Sequence, residues 1–480
     1  MTHVHVAVVG GGVSGLSAAH RLRCLLGEQA RITVVEQAPH LGGKLRTVEF
    51  AGHPVDLGAE AFLHRRPEAA ELVAELGLAP QLVHPTRAAS TVRAGGRVHR
   101  MPSRTLLGVP TSAETVRGVL SAEAAARVAA EPSLPPLRLE GDVAVGALLR
   151  ERFGDEVTER LVDPMLGGVY AGRADRLSLR ATIPVLANAL DSGIGSVVEA
   201  AAAAMPAPAQ PPPDPAPPVF GTLRGGLGAL IDRLAEVAKP EVRLGQPVRE
   251  LLRADHGWRL VIGPATAPEV LDVDGVVLAV PAPSARRLLA DIAPTAATSL
   301  AEVELASVAL VSMALPGDTD LTVNADVPLA AGVLVADRER HADGTPFTAK
   351  AFTFSSNKWA HLTGEVKFVR GSVGRVGETE LLQRSDEELI EAVRADLAEL
   401  IGGPVPAPLE VLVTRWGGAL PQYGVGHLER VERIEDAVAR VPGLAVAGAL
   451  LHGVGVPACV ATGNAAAARV AAHLLGRRWN

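Results

Sequence analysis

Two glycine-rich strand-to-helix turns, one near each end of the chain, constrain its fold more than any other feature. The first, Gly10-Gly11-Gly12-Val13-Ser14-Gly15, follows the apolar run Val4 to Val9. It opens a segment to about Leu26 in which Leu16, Ala19, Leu22 and Leu26 share one helical face. The second, Gly453-Val454-Gly455-Val456-Pro457-Ala458-Cys459-Val460-Ala461-Thr462-Gly463, follows the short apolar run Leu444 to Ala447 and opens an Ala-rich helix to about Leu475. Such turns present bare backbone N–H groups and a helix N-terminus, which together favour an anionic ligand. One alone is weak evidence, because any tight βα turn can produce it. Two at opposite ends suggest that both ends close around a single long cofactor.

The next strand, Ile32 to Val35, ends in Glu36. An acid about 20 residues beyond the last glycine is placed to accept the ribose hydroxyls of an adenosine, and it would repel a 2′-phosphate. A dinucleotide is therefore expected at the first turn.

The stretch that follows, Leu41-Gly42-Gly43-Lys44-Leu45-Arg46-Thr47, resembles the second signature of the amine-oxidase-like flavoprotein superfamily, as Asp56-Leu57-Gly58-Ala59-Glu60 resembles the segment those proteins lay beneath the flavin ring. His40 and Lys44 stand where the superfamily often has Arg, with cationic character kept at Lys44 and Arg46. The resemblance selects FAD over NAD. Val446-Ala447-Gly448 with Gly453 to Cys459 looks like the closing signature of the porphyrinogen oxidases; amine oxidases usually carry an acid where this chain has Ala449. Pro164 to Gly172, Phe352 to Trp359, Arg415-Trp416 and Pro421-Gln422-Tyr423 point the same way. The resemblance spans nearly the whole chain and is closest to the soluble coproporphyrinogen III oxidases of Gram-positive and actinobacterial type.

That resemblance implies non-covalent FAD, held by Gly10, Gly11, Gly12, Val13, Ser14, Gly15, Glu36, Gln37, Gly43, Lys44, Arg46, Gly58, Ala59, Glu60, Ala61, Val248, Trp416, Gly448, Val454, Gly455 and Val456. Val248 would hold the adenine side through its backbone. Cys459 could suggest a covalent flavin, but a plain buried thiol is favoured. The implied reaction oxidises coproporphyrinogen III in haem synthesis, with molecular oxygen as acceptor and release of hydrogen peroxide. Flavin carries the redox step, so no catalytic base is nominated. A substrate with several propionates needs cations, and Arg pairs carboxylates bidentately. Tyr170, Lys358 and Arg375 are the substrate candidates, with Arg46, Arg65 and Arg415 as further cations beside family-like motifs.

Protoporphyrinogen IX is the alternative substrate. Amine oxidases and carotenoid desaturases are a more distant alternative, disfavoured by Ala449 and by a supply of two Tyr, four Trp and eight Phe that offers few rings to sandwich an amine. A flavin-free binding protein of the kind that chaperones prenylated GTPases would not need the intact phosphate turn.

Composition sets further bounds. With 48% hydrophobic and 21% charged residues the chain is typical of a soluble globular enzyme. It shows no apolar run long enough to span a bilayer and no signal peptide, so a cytoplasmic protein with at most peripheral membrane contact is expected. Two cysteines, Cys24 and Cys459, exclude a disulfide framework or a Cys cluster, and no metal is expected from them or from histidines such as His40. A net charge of −7 without a basic run argues against nucleic acid. The remaining partners expected are the porphyrinogen and the next haem-pathway enzyme.

The fold expected is α/β (α+β overall), in three parts. A discontinuous Rossmann-like FAD domain is assembled from 1–60, 219–298 and 440–480, with Gly225-Gly226 opening a helix through Ala238. A mixed-sheet substrate domain takes 61–96 and 299–439, including strands Ala306 to Leu315, Gly332 to Ala336 and Leu409 to Arg415. Ser385-x-x-Glu388 has capping-box spacing before a helix to Ile401. A mostly helical domain, 97–218, ends in a loop, 206–218, in which eight of thirteen residues are proline, an extended or mobile segment by composition.

Overall fold

A computed structural model describes residues 4–206 and 218–477. Most of the proline-rich loop thus lies outside the described residues. The chain divides into two units, one formed by Met1–His84, Pro218–Glu304 and Glu429–Asn480, the other by Pro85–Pro217 and Leu305–Leu428.

Continuous apolar runs cannot face water on either side, so they assemble where both faces are covered. In the first unit His5–Val9, Arg31–Val35 and Gly275–Leu278 are such runs, and they form the centre of a five-stranded parallel sheet. Its order is Glu241–Arg243, Arg31–Val35, His5–Val9, Gly275–Leu278, Leu444–Val446. Helices Val13–Leu26, Gly228–Ala238 and Val456–Arg477 cover it. Leu16, Ala19 and Leu22, Leu230, Ile231 and Leu234, and Val460, Val470 and Leu474 join Val6, Val8, Ile32, Val34 and Val277 in one core. Val248–Ala254, Gly257–Ile262 and Glu269–Val273 add an antiparallel meander.

The first unit takes more chain than expected. Phe62–Leu63 and Leu82–Val83 both pair with Phe220–Leu223, and Ala69, Leu72, Val73 and Leu76 pack into the same core, so 61–84 belongs here. Helix His427–Ala439 also enters this unit from Glu429 onward, burying Val431, Ile434 and Val438.

The second unit is built on a seven-stranded sheet ordered Glu410–Pro421, Leu305–Pro316, Val366–Val373, Ala349–Phe354, Ala330–Val335, Ala89–Ala94, Arg97–Arg100. The Ala330–Val335 and Ala89–Ala94 pair is parallel and the other neighbours are antiparallel. Alternate residues Ala309, Val311, Met313 and Leu315 face the helix Asp386–Ile401, which buries Leu389, Val393, Leu397 and Leu400 against them. The expected capping box is present: Ser385 accepts from the Glu388 N–H, and Glu388 accepts from the Ser385 N–H.

The helical segment shares this unit instead of forming its own. It also contains short strands, Thr105–Leu106 and Val109–Pro110, beyond the helical pattern expected. Glu131, fully buried, organises it by accepting from Arg152 Nε at 2.8 Å, Ser196 Oγ at 2.5 Å and the Val197 N–H at 2.9 Å. Burial would raise its pKa, but these bonds to the charged form hold it below the usual range.

Candidate active site

The first glycine turn is shaped by contacts that leave no room for a side chain. Gly10 has φ +107°, and a Cβ there would lie 2.3 Å from the Ala279 carbonyl oxygen. A Cβ on Gly15 would lie 1.9 Å from the Gly10 carbonyl oxygen. Gly12 is different: a Cβ would meet nothing closer than the Gly42 carbonyl oxygen at 4.0 Å. Helix Val13–Leu26 starts there with no side-chain cap and no acid in its first turn, so its terminal N–H groups and positive end are offered outward. Val13 is half-buried and Ser14 buried on that first turn.

Glu36 has two jobs available to it. Its Oε2 accepts from the Gly11 N–H at 2.7 Å and its Oε1 from the Ala38 N–H at 2.8 Å, clamping the turn to the strand end. A carboxylate has about four lone-pair positions, so capacity for ribose hydroxyls remains. Gln37 beside it is exposed. The Val248 carbonyl, expected at the adenine side, accepts from Arg287 Nη2 at 2.9 Å.

The second signature packs directly on the first. The Gly42 N–H donates to the Gly11 carbonyl at 2.9 Å, and Gly43 lies against Gly12. The Ala59 N–H donates to the Lys44 carbonyl and the Leu57 N–H to that of Arg46, so Gly58 to Ala61, all half-buried, run beside Lys44 and Arg46. The Arg46 side chain is exposed and pairs with no carboxylate among the described residues. Asp56 opens the segment expected beneath the flavin ring. Its carboxylate accepts from Thr47 Oγ1 at 2.5 Å and from the Leu227 N–H at 3.0 Å, fastening the start of helix Gly228–Ala238.

The C-terminal turn reaches the same place. Gly448, with φ +119°, donates its N–H to Thr462 Oγ1 at 3.0 Å, and a Cβ there would approach Ser14 Oγ at 3.9 Å. Gly463 lets the last helix lie on the first, since a Cβ would sit 2.3 Å from the Ser14 carbonyl oxygen. Val454 and Gly455 precede the helix, which starts at Val456. Cys459 is buried, and desolvation raises its pKa, opposed by a hydrogen bond from Ser14 and by the charge of Lys44. Lys44 counts as exposed over the residue as a whole, yet its ammonium is crowded enough that desolvation lowers its pKa, with Cys459 acting the other way. Ser14, Lys44 and Cys459 thus draw all three glycine motifs together. Thr462 was not singled out by the sequence, although it falls inside the C-terminal motif.

These features fit a flavin dinucleotide: an uncapped helix N-terminus for the diphosphate, a carboxylate at the second strand's end and a lysine ammonium in a recess.

The remaining expected residues belong to the second unit. Trp416 is half-buried and packs, with Val376 and Leu420, on Ala171, Ala306 and Val308. Tyr170 is 8% exposed, burial pushes its pKa up to about 12, and its ring lies 5.5 Å from that of Tyr423. Lys358 places its ammonium 5.0 Å over the Trp359 ring. Arg375 is 6% exposed and committed within the fold: it donates to Asp163 Oδ2 at 2.9 Å and the Val335 carbonyl at 3.1 Å. A propionate there would have to be met by the guanidinium's remaining N–H donors. Arg415 is likewise engaged, by Asp386 and the carbonyls of Leu382 and Arg384. Arg65, in the first unit, is exposed.

The sequence pattern missed Lys350. Its ammonium is buried, donating to Ser372 Oγ at 2.9 Å and the Gly374 carbonyl at 2.6 Å. Desolvation, reinforced by Arg375 and opposed by Glu378, lowers its pKa to about 7. No local motif marks this lysine, because its partners come from another strand.

Comparison with known proteins agrees with the geometry. The model of the family described as flavin containing amine oxidoreductase matches residues 13–471. A Mycobacterium leprae protein named coproporphyrinogen III oxidase is 41% identical over 468 residues, covering 97% of this chain and 98% of its own length. A Bacillus subtilis protein of the same name is 31% identical, covering 98% of each chain. The crystal structure of a putative protoporphyrinogen oxidase from Exiguobacterium sp. 255-15 superposes with a TM-score of 0.84 at 31% identity, over 98% of this chain and 99% of that one. Putrescine oxidase, at 18% identity and a TM-score of 0.68, shares the fold. The chain therefore belongs to the flavin containing amine oxidoreductase family and, within it, to the family of the coproporphyrinogen III oxidases.

Proposed function

We propose that this protein is an FAD-dependent oxidase that converts coproporphyrinogen III to coproporphyrin III in haem synthesis. The observation that carries the reading is near-full-length identity of 41% to relatives of that name, on a chain whose glycine motifs meet at Ser14, Lys44 and Cys459. When bound, FAD supplies the two-electron oxidant that accepts hydride from the macrocycle's methylene bridges and is reoxidised by oxygen with release of hydrogen peroxide.

The chain's part is binding and orientation. Gly10 to Gly15 and the start of the first helix hold the diphosphate, and Glu36 the ribose, with Gln37 beside it. Val248 offers backbone to the adenine. Gly43, Lys44, Arg46, Gly58 to Ala61, Trp416, Gly448 and Val454 to Val456 complete the cofactor set. Tyr170 and Lys358 serve the substrate, and no general base is assigned: pyrrole protons pass to solvent. The product goes to the next haem-pathway enzyme, in the cytoplasm. Among the described residues no helix is long and apolar enough to cross a membrane.

The test compares the two porphyrinogens side by side, reading porphyrin fluorescence above autoxidation. Faster oxidation of coproporphyrinogen III is expected, and a preference for protoporphyrinogen IX would overturn the substrate assignment. A colourless purified protein, or flavin reduction by an amine with neither porphyrinogen oxidised, would overturn the whole reading. Glu36→Ala is expected to lower the flavin retained per chain at least tenfold, on the order of two lost charge-assisted bonds.

A further inference from the structure

A separate cluster sits on the first unit, between the helix that starts at the first glycine turn and the helix Pro67–Glu75. His20 and Cys24 lie one helical turn apart on Val13–Leu26, a spacing that puts both side chains on one face. Glu75 closes the helix Pro67–Glu75 and points its carboxylate at the same spot. The imidazole Nε2, the thiol sulfur and a carboxylate oxygen all lie within 4.8 Å of one another.

We propose that His20, Cys24 and Glu75 form a binding site for a borderline-soft divalent cation of the zinc type. The distances carry the argument. His20 Nε2 is 3.9 Å from Glu75 Oε1, too long for a hydrogen bond, and 3.9 Å from Cys24 Sγ, a long sulfur hydrogen bond that a metal would replace. A tetrahedral zinc with about 2.3 Å to sulfur and about 2.0–2.1 Å to nitrogen or oxygen spaces its ligand atoms about 3.3–3.5 Å apart, so the two 3.9 Å pairs must close by about half an ångström, and the sulfur–carboxylate pair, within 4.8 Å, closes by rotation of the exposed Cys24 and Glu75 side chains. One thiolate, one imidazole and one carboxylate suit zinc and leave a fourth position for water. On binding, the thiol proton is released to solvent as the S–Zn bond forms.

The scaffold is rigid on both sides. His20 is 5% exposed, and its helix is anchored in the core by Leu16, Ala19 and Leu22. The helix bearing Glu75 is anchored in the same core by Ala69, Leu72 and Val73, with Leu76 just after it. Cys24 and Glu75 are exposed, so the cation has an entry path. Arg21 acts electrostatically on His20 and Cys24 and opposes a cation, so affinity depends on the thiolate and carboxylate together. The ion would pin the helix Pro67–Glu75 to the helix that starts at the glycine turn. His20 and Cys24 share one helix, whereas the third ligand comes from a different helix and is brought to them only by the fold.

The experiment uses untagged, flavin-loaded full-length protein stripped with a chelator. Zinc is titrated in competition with a chromogenic chelator, and cobalt is added separately to read its d–d bands in the red, beyond flavin absorption. One equivalent of zinc and tetrahedral cobalt bands are expected in the parent protein. Cys24→Ser and Glu75→Gln, both exposed, should each weaken zinc binding at least about tenfold and abolish or shift the cobalt bands, with oxidase activity unchanged. Absence of a zinc equivalent in the parent, or parent-like binding in both variants, would overturn the site.

Discussion

In the first unit polar chemistry is presented mainly by backbone. Gly11, Gly12 and Gly448 bring N–H groups and carbonyls into place because neighbouring atoms leave no space for side chains at Gly10 and Gly15. In the second unit the same task falls to side chains paired across the chain. Arg375 meets Asp163 across 212 positions, Arg173 bridges Asp337 and Glu378, and Lys350 is buried beside them. A backbone-built site depends on residues close in sequence. An ion-pair network depends on elements that meet only after folding. The contrast also changes the meaning of a cation: Lys44 sits in a recess by a glycine turn, whereas Arg375 is consumed in holding its own unit together.

The largest effect expected is from Arg375→Ala, which strands the Asp163 carboxylate and should cost about 3–5 kcal/mol of stability. Chemical denaturation checks this. A variant with the parent's unfolding midpoint and a raised KM would instead return Arg375 to the substrate and break the contrast. Gly15→Ala should cost about 3 kcal/mol through overpacking, with loss of bound flavin measured by absorbance per chain. Retained flavin at normal stability would show that the turn tolerates a side chain.

Lys350 sharpens the comparison through pH. Its native pKa of about 7 lies below that of an unfolded lysine, about 10.4. Between those values the unfolded chain binds a proton that the native chain lacks, so this lysine's contribution rises with pH and is least favourable below about 7. Lys350→Met removes the dependence. The parent-minus-variant stability should climb by about 1 kcal/mol per pH unit from pH 7 to 9; a flat difference would mean the ammonium is solvated.

Smaller effects are expected at two helix starts. Asp56→Ala removes the acceptor at the start of Gly228–Ala238 and should cost about 2 kcal/mol, with flavin affinity less affected than in Glu36→Ala. If flavin loss matches that of Glu36→Ala, Asp56 belongs to the cofactor site after all. Ser385→Ala breaks the capping box and should cost about 1 kcal/mol, read from the unfolding midpoint with no change in flavin content.

The legible parts of the site were those with short-range causes. The glycine turns, Glu36 and the Ser385 capping box each follow from spacing within a few residues, or within one strand–helix–strand unit. Asp56 looked like part of the flavin face because it adjoins Leu57 and Gly58, and only the fold reveals that Thr47 and the Leu227 N–H claim its oxygens. Arg375 is a candidate by residue type and its place beside family-like motifs, and the carboxylate that its side chain meets, Asp163, lies 212 positions away. Domain limits erred for a related reason: 61–84 carries no motif, and its place is decided by pairing with Phe220–Leu223 and by packing of Leu72 and Val73.

The sequence by itself determined that a glycine-rich strand-to-helix turn stands near each end of this chain and which family those turns belong to. It could do so because a close backbone approach demands glycine at a given residue, whatever lies farther away. Tertiary structure alone decided which charges are free and which are spent, and it brought Glu75 to His20 and Cys24. Charge availability depends on burial and on partners hundreds of residues distant, and those are properties of the packed molecule.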